Sequence, residues 1–162
     1  MRKEYPFYKM KGKKFVKRKK KKQKKFKPAL AKKKLHNLWS YVVRSRDKFA
    51  CQWCFHDGKH NVSLTHHAHH IVPRSICGNN GSFDVDNGVT LCYPCHLFRL
   101  KSEVDEYIEF RNKWLKENVG VDYPTLREKF SPPVKFTEEF CDMKIDSLNY
   151  VLNATRGGPM TS

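Results

Sequence analysis

Cys51-Gln52-Trp53-Cys54 opens, and Cys92-Tyr93-Pro94-Cys95 closes, the stretch from which the rest of this chain can be read. Between them lie His66-His67-Ala68-His69-His70-Ile71-Val72-Pro73 and then Asp86-Asn87-Gly88; His96 follows the last cysteine directly. Two Cys-x-x-Cys pairs have the spacing of metal knuckles, and together they predict one closed tetrahedral zinc site built from Cys51, Cys54, Cys92 and Cys95. The 37 residues between Cys54 and Cys92 are more than a simple finger needs. Folding must therefore bring the knuckles together, and the metal then fixes the ends of the loop. Disulfides or a redox pair are the competing readings, and the paired spacing favours metal. Cys77 and Cys141 have no partner at that spacing and are expected to be apolar fillers. The His and Asn residues inside the staple read as a second, chemically active site.

Charge divides the 162 residues unevenly. Lys and Arg number 33 against 16 acids, and residues 1–35 alone hold 18 basic residues against one acid, Glu4. The other 127 residues balance, with 15 of each sign. The positive charge is thus a separable arm on an ordinary globular body. Within it Lys17, Arg18, Lys19, Lys20, Lys21, Lys22, Lys24 and Lys25 form a near-continuous block. Such a block repels itself and is expected to be disordered until it meets a polyanion, where neutralised phosphates release counterions. Nucleic acid is the first candidate and an anionic membrane surface the second; a solvated solubility tail is the bland alternative. Tyr5, Phe7, Tyr8, Phe15 and Phe26 are interleaved and suit base stacking. No apolar run approaches the roughly 20 residues that span a bilayer. A basic N-terminus without an apolar core is no secretory signal, which predicts a cytoplasmic protein.

Helical spacing runs from Ala29 to about Lys48, with Leu35, Leu38, Trp39, Val42 and Val43 as the buried stripe and Trp39 as core. Val62 to Val72 reads as strand, Ser75 to Gly88 as a long loop and Val89-Thr90-Leu91 as a brief strand. A helix is expected from Pro94, with Leu97, Phe98 and Leu100 as contacts. A second is expected after a Ser102 cap, with Val104, Tyr107, Ile108, Phe110 and Trp114-Leu115 inward. Tyr123-Pro124 and Ser131-Pro132-Pro133 read as extended breaks, and Thr137 to Leu152 as one last helix with Phe140, Met143, Leu148 and Val151 inward. The expected division is an arm over 1–28, a central domain over 29–117 with its metal-stapled core at about 51–100, and a C-terminal extension over 118–162.

The ordered set Ala68-His69-His70-Ile71-Val72-Pro73, Asn87 and Leu91-Cys92-x-x-Cys95-His96 resembles the HNH endonuclease motif, in its zinc-stapled, free-standing, phage-type form. The resemblance covers about residues 39–100, including the Trp-containing helix and the Arg46-Asp47-Lys48 lead-in. It implies an α+β fold with a small ββα-metal core and hydrolysis of phosphodiester bonds to 5′-phosphate and 3′-hydroxyl ends. By position it implies His70 as general base and Asn87 as the residue that ties the loop and steadies that base. It also implies His69 and His96 as ligands of one catalytic divalent metal. A neutral imidazole fits the first role, because near its ordinary pKa it can take a proton from water at pH 7. A backbone carbonyl bonded to one ring nitrogen would aim the other at that water.

Many relatives carry an Asp where this chain has His69. Two neutral imidazoles are softer than an imidazole and a carboxylate, so Mn²⁺, Ni²⁺, Co²⁺ or Zn²⁺ is expected over Mg²⁺. On an extended strand His67 points with His69 and is a candidate third ligand, whereas His66 points with His70. Arg74 is positioned to hold a phosphate oxygen. His36, His56 and His60 have no partners in sequence and are expected to be structural or exposed. DNA is the expected partner, and in a phage setting the host cytoplasm the expected place. One site cuts one strand, a nickase; cutting both would need a homodimer, a protein partner or a second event. The competing function is a non-catalytic zinc-stabilised nucleic-acid-binding module, and an RNA-cleaving version of the site differs only in substrate.

Overall fold

The computed structural model describes residues 25–59 and 63–157. Helix α1 spans Pro28–Arg46, and Pro28 takes the first turn, where its missing N–H costs nothing. Leu35, Trp39, Val42 and Val43 form its buried face, as their spacing predicts. A short helix α2 (Gln52–His56) carries the first knuckle. Strands β1 (His66–His70) and β2 (Gly88–Cys92) pair antiparallel, with His66 opposite Cys92 and His70 opposite Gly88. After β2 a π-helical turn, Cys95–Arg99, runs on through Leu100–Ser102; together they form α4. The strand–strand–helix core of the ββα-metal arrangement is therefore present, with the four cysteines gathered at one end.

Four departures from the sequence expectations have physical causes. The predicted strand from Val62 is confined to His66–His70, and Val62 lies outside the described residues. The expected loop from Ser75 to Gly88 contains helix α3 (Arg74–Ser82) and a 3₁₀ turn at Val85–Asn87. Its Gly and Asn residues disfavour a helix, but burial of Cys77, Gly81 and Ser82 overrides that preference. Gly78 allows the kink within α3 through its φ of 56°, a left-handed conformation open to glycine. Ser102 does not cap α5 (Val104–Asn118): Glu103 precedes that helix, and the Ser102 hydroxyl donates back to the Phe98 carbonyl at 3.2 Å. Tyr123-Pro124 opens helix α6 (Tyr123–Lys129) instead of breaking the chain, because Asp122 caps it by accepting from the Thr125 N–H at 2.9 Å.

Where sequence predicts one helix beyond residue 118, the described residues form two, α6 and α7 (Glu138–Thr155). The stripe of α7 uses Phe140, Cys141, Leu148 and Leu152; Met143 is exposed, as are Phe98, Val104 and Ile108 on the earlier helices. Two apolar clusters result. One joins the hairpin and knuckles to α5 and α6 through Trp53, Leu91, Phe110, Leu115 and Leu126. The other packs α1 against α7 through Leu35, Trp39, Val43, Phe140 and Leu148, with Phe83 between. The hairpin is sandwiched by both. Gly88 permits this approach, since a Cβ there would lie 2.9 Å from the Trp39 ring and closer still to Val43. Asp47, buried at the end of α1, accepts from the Thr90 N–H at 2.7 Å, and Arg46 donates to the carbonyls of Val85 and Gly88. No helix among the described residues is long and apolar enough to cross a membrane.

Candidate functional site

Cys51, Cys54, Cys92 and Cys95 are fully buried, and their sulfurs all lie within 4.8 Å of one another. The Cys54 sulfur is 3.8 Å from that of Cys92 and 3.5 Å from that of Cys95. Thiols this close cannot all ionise unaided. Hydrogen bonding from Cys95 brings Cys51 down to about 5, while burial pushes Cys54 up to about 12. The hydrogen bond with ionised Cys51 likewise raises Cys95. A divalent cation would resolve the conflict by stabilising all four thiolates, so the donor set fits a structural zinc. Arg99 supports it from outside, donating to the Cys95 sulfur at 3.5 Å and pairing with Asp57 and Glu103.

Alternation along β1 sends its histidines to opposite faces of the hairpin. His70 faces α1, where its ring stacks on Trp39 at 3.9 Å and 10° between planes. Its Nε2 lies 3.0 Å from the Ser82 carbonyl oxygen. A carbonyl can only accept, so Nε2 carries the proton and Nδ1 keeps a free lone pair. Burial is the main cause that lowers the His70 pKa to about 4; the Ser82 bond opposes it, and His36 and Arg74 add to it. The ring is neutral at pH 7.

His67 and His69 face α4. The ring of His96 lies 5.2 Å from each of theirs, stacked on His67 and edge-on to His69. Burial, with His96 and His70 adding, lowers His69 to about 3, and burial with His67 lowers His96. His69 Nε2 sits 3.0 Å from the hydroxyl of Tyr107 on α5. Buried nitrogens of His66 (Nε2), His67 (Nε2) and His96 (Nδ1) have no hydrogen-bond partner among the described residues. Imidazole nitrogens suit a borderline-soft divalent cation, and the donors at His69 and His96 fit one. With His67 added the three do not form a compact set; among the described residues only the four cysteines do.

Asn87 is fully buried and belongs to neither face. Its Oδ1 accepts from the Val72 N–H at 2.6 Å, and its Nδ2 donates to the carbonyls of Val72 and Gly81, both at 3.0 Å. It clips the end of β1 to the end of α3, one residue from the Ser82 carbonyl that holds His70.

The free edge of β1 is open, and a groove of about 670 Å³ runs along it, bounded by α1, Arg74 and His96. Arg44 and Arg74 supply cations, and among the described residues no acidic side chain lines it. His36, which sequence leaves without a partner, lies on this groove 5.9 Å from His70. Lys25 is exposed, and the rest of the basic block, Lys17 to Lys24, lies outside the described residues. Sequence missed the parts played by Trp39, Tyr107 and Ser82. The first two read as core from their spacing, and a backbone carbonyl carries no residue signal.

Residues 51–99 match the family model described as HNH endonuclease. This similarity takes in 49 of the 162 residues. No curated protein and no solved structure matches the chain. The HNH match begins at the first knuckle cysteine and ends at Arg99, taking in the hairpin, α3 and the π-helical turn with His96. Helices α1 and α5 flank the HNH segment from outside it, yet they supply Trp39 and Tyr107 to its histidines.

Proposed function

We propose that this chain is a metal-dependent endonuclease that hydrolyses phosphodiester bonds of DNA, with His70 as general base. The observation that carries it is the bond from His70 Nε2 to the Ser82 carbonyl, which leaves a lone pair at Nδ1 on a neutral ring. Water at that nitrogen gives up a proton as its oxygen attacks phosphorus. The P–O3′ bond breaks, its electron pair leaves with the 3′ oxygen, and protonation there completes the 5′-phosphate and 3′-hydroxyl ends. A divalent cation held by His69 and His96, with His67 as candidate third ligand, would polarise the phosphate and stabilise the departing oxygen. Asn87 acts by position, fixing the segment that presents the Ser82 carbonyl. Arg74 holds a phosphate oxygen, and the basic arm contributes sequence-independent affinity.

One site per chain makes strand nicking the primary activity, with DNA processing in an infected host cytoplasm as a fitting setting. Supercoiled plasmid with Mn²⁺, incubated beside a His70→Ala version, tests this. Relaxation by the native chain alone supports the role of His70. If neither version cuts under any divalent metal while both bind, a zinc-stabilised binding module is the better description. Parallel cleavage of RNA and DNA decides the polymer.

A further inference from the structure

We propose that Tyr107 is a positioning residue for His69: its hydroxyl oxygen accepts the Nε2–H of that imidazole and so assigns Nδ1 as the metal-binding atom. This rests on His69 being a metal ligand. The two groups are 3.0 Å apart, and their rings meet edge-on at 5.7 Å. Tyr107 is itself wedged against Trp53 and Phe110, with ring centroids 5.6 and 6.2 Å away. A neutral imidazole carries one N–H and one lone pair. If the tyrosine donated to Nε2, the ring proton would sit on Nδ1, and neither nitrogen would be free for a metal. Ligation with the contact intact therefore requires the Nε2–H tautomer.

His70 is held in the same tautomer by a backbone carbonyl, so adjacent histidines are fixed alike on opposite faces of one strand. Partners of this kind orient metal-bound imidazoles and raise their basicity. Here the partner comes from α5, beyond the segment that matches the HNH family.

The test uses the full chain with zinc at the cysteine site. Long-range proton–nitrogen NMR of the protein with Zn²⁺ at both sites should show His69 metallated at Nδ1 with Nε2–H retained. Calorimetric titration with Ni²⁺ should find Tyr107→Phe about 10–100-fold weaker than the native chain. The cysteine-bound zinc and the thermal midpoint should remain near native. Metallation at Nε2, or native Ni²⁺ affinity in Tyr107→Phe while His69→Ala has lost it, overturns the role of Tyr107 and leaves the metal site standing. Native affinity in His69→Ala overturns both.

Discussion

The indole of Trp39 lies flat against the imidazole of His70, with centroids 3.9 Å apart, while its Nε1 donates to the Asp84 carbonyl at 2.8 Å. The stack sets the plane of the ring, and the Ser82 carbonyl sets its rotation. Trp39→Phe keeps an aromatic surface and deletes the N–H, so a loss of about 1–3 kcal/mol is expected from the orphaned carbonyl. Cleavage should persist. Trp39→Ala opens a cavity costing about 3–5 kcal/mol and frees the ring. Urea unfolding and plasmid nicking on both variants check this, and an unimpaired nicking rate in a folded Trp39→Ala would refute the positioning role.

Asn87 satisfies one buried donor and two buried acceptors at once. Asn87→Ala strands all three, at about 1–3 kcal/mol each. Asn87→Asp is expected to be no better, since a carboxylate accepts from Val72 but cannot donate to the two carbonyls. Both variants should lose stability and cleavage together. Full stability with lost cleavage in Asn87→Asp would point to a direct chemical role instead.

The cysteine cluster ties α2 to the end of β2 and the start of α4, so metal removal should unfold the hairpin. Structural zinc contributes on the order of 10 kcal/mol in small metal-dependent domains. Chelation, or Cys54→Ser, is expected to abolish cooperative unfolding and release one equivalent of zinc. A chelated chain that kept its near-ultraviolet circular dichroism would show that the core stands without the metal.

Acid should destabilise the protein through its buried histidines. His70 and His69 titrate near 6.5 when unfolded but at about 4 and 3 when folded. Between those limits the unfolded chain binds more protons, so stability is full above pH 6.5 and falls as pH drops toward 3. The urea midpoint should decline over that window, and less steeply in His70→Gln. Parallel declines in the two proteins would assign the acid sensitivity elsewhere, for instance to the thiolates.

The proposed ligation by His69 and His96 predicts a metal preference, because both donors are uncharged. With Mg²⁺ as the weakest activator and Mn²⁺, Ni²⁺, Co²⁺ or Zn²⁺ ahead of it, the imidazole set is the cause. A series in which Mg²⁺ led would count against ligation by histidines alone.

What sequence made legible was whatever repeats at fixed spacing. The paired cysteines, the alternation along His66–His70 and the α1 stripe are each local patterns, and the structure places them as read. Helix α3 escaped because Gly78, Asn79, Asn80 and Gly81 argue for a loop. Only the core that Cys77 and Gly81 enter makes them a helix. Tyr107 and Trp39 were legible as apolar spacing, but spacing cannot say that one hydroxyl meets His69 or that one indole meets His70. Those contacts span 38 and 31 residues and exist only after the hairpin has been sandwiched.

The packing of α1 against α7 has a consequence for how the protein is made. Trp39 leaves the ribosome before Phe140 and Leu148, which share its cluster and brace its wall. A ribosome still working on α7 therefore displays the histidines and knuckles before the packing behind Trp39 is complete. In a growing chain the proposed base thus gains its braced wall only after α7 has joined α1.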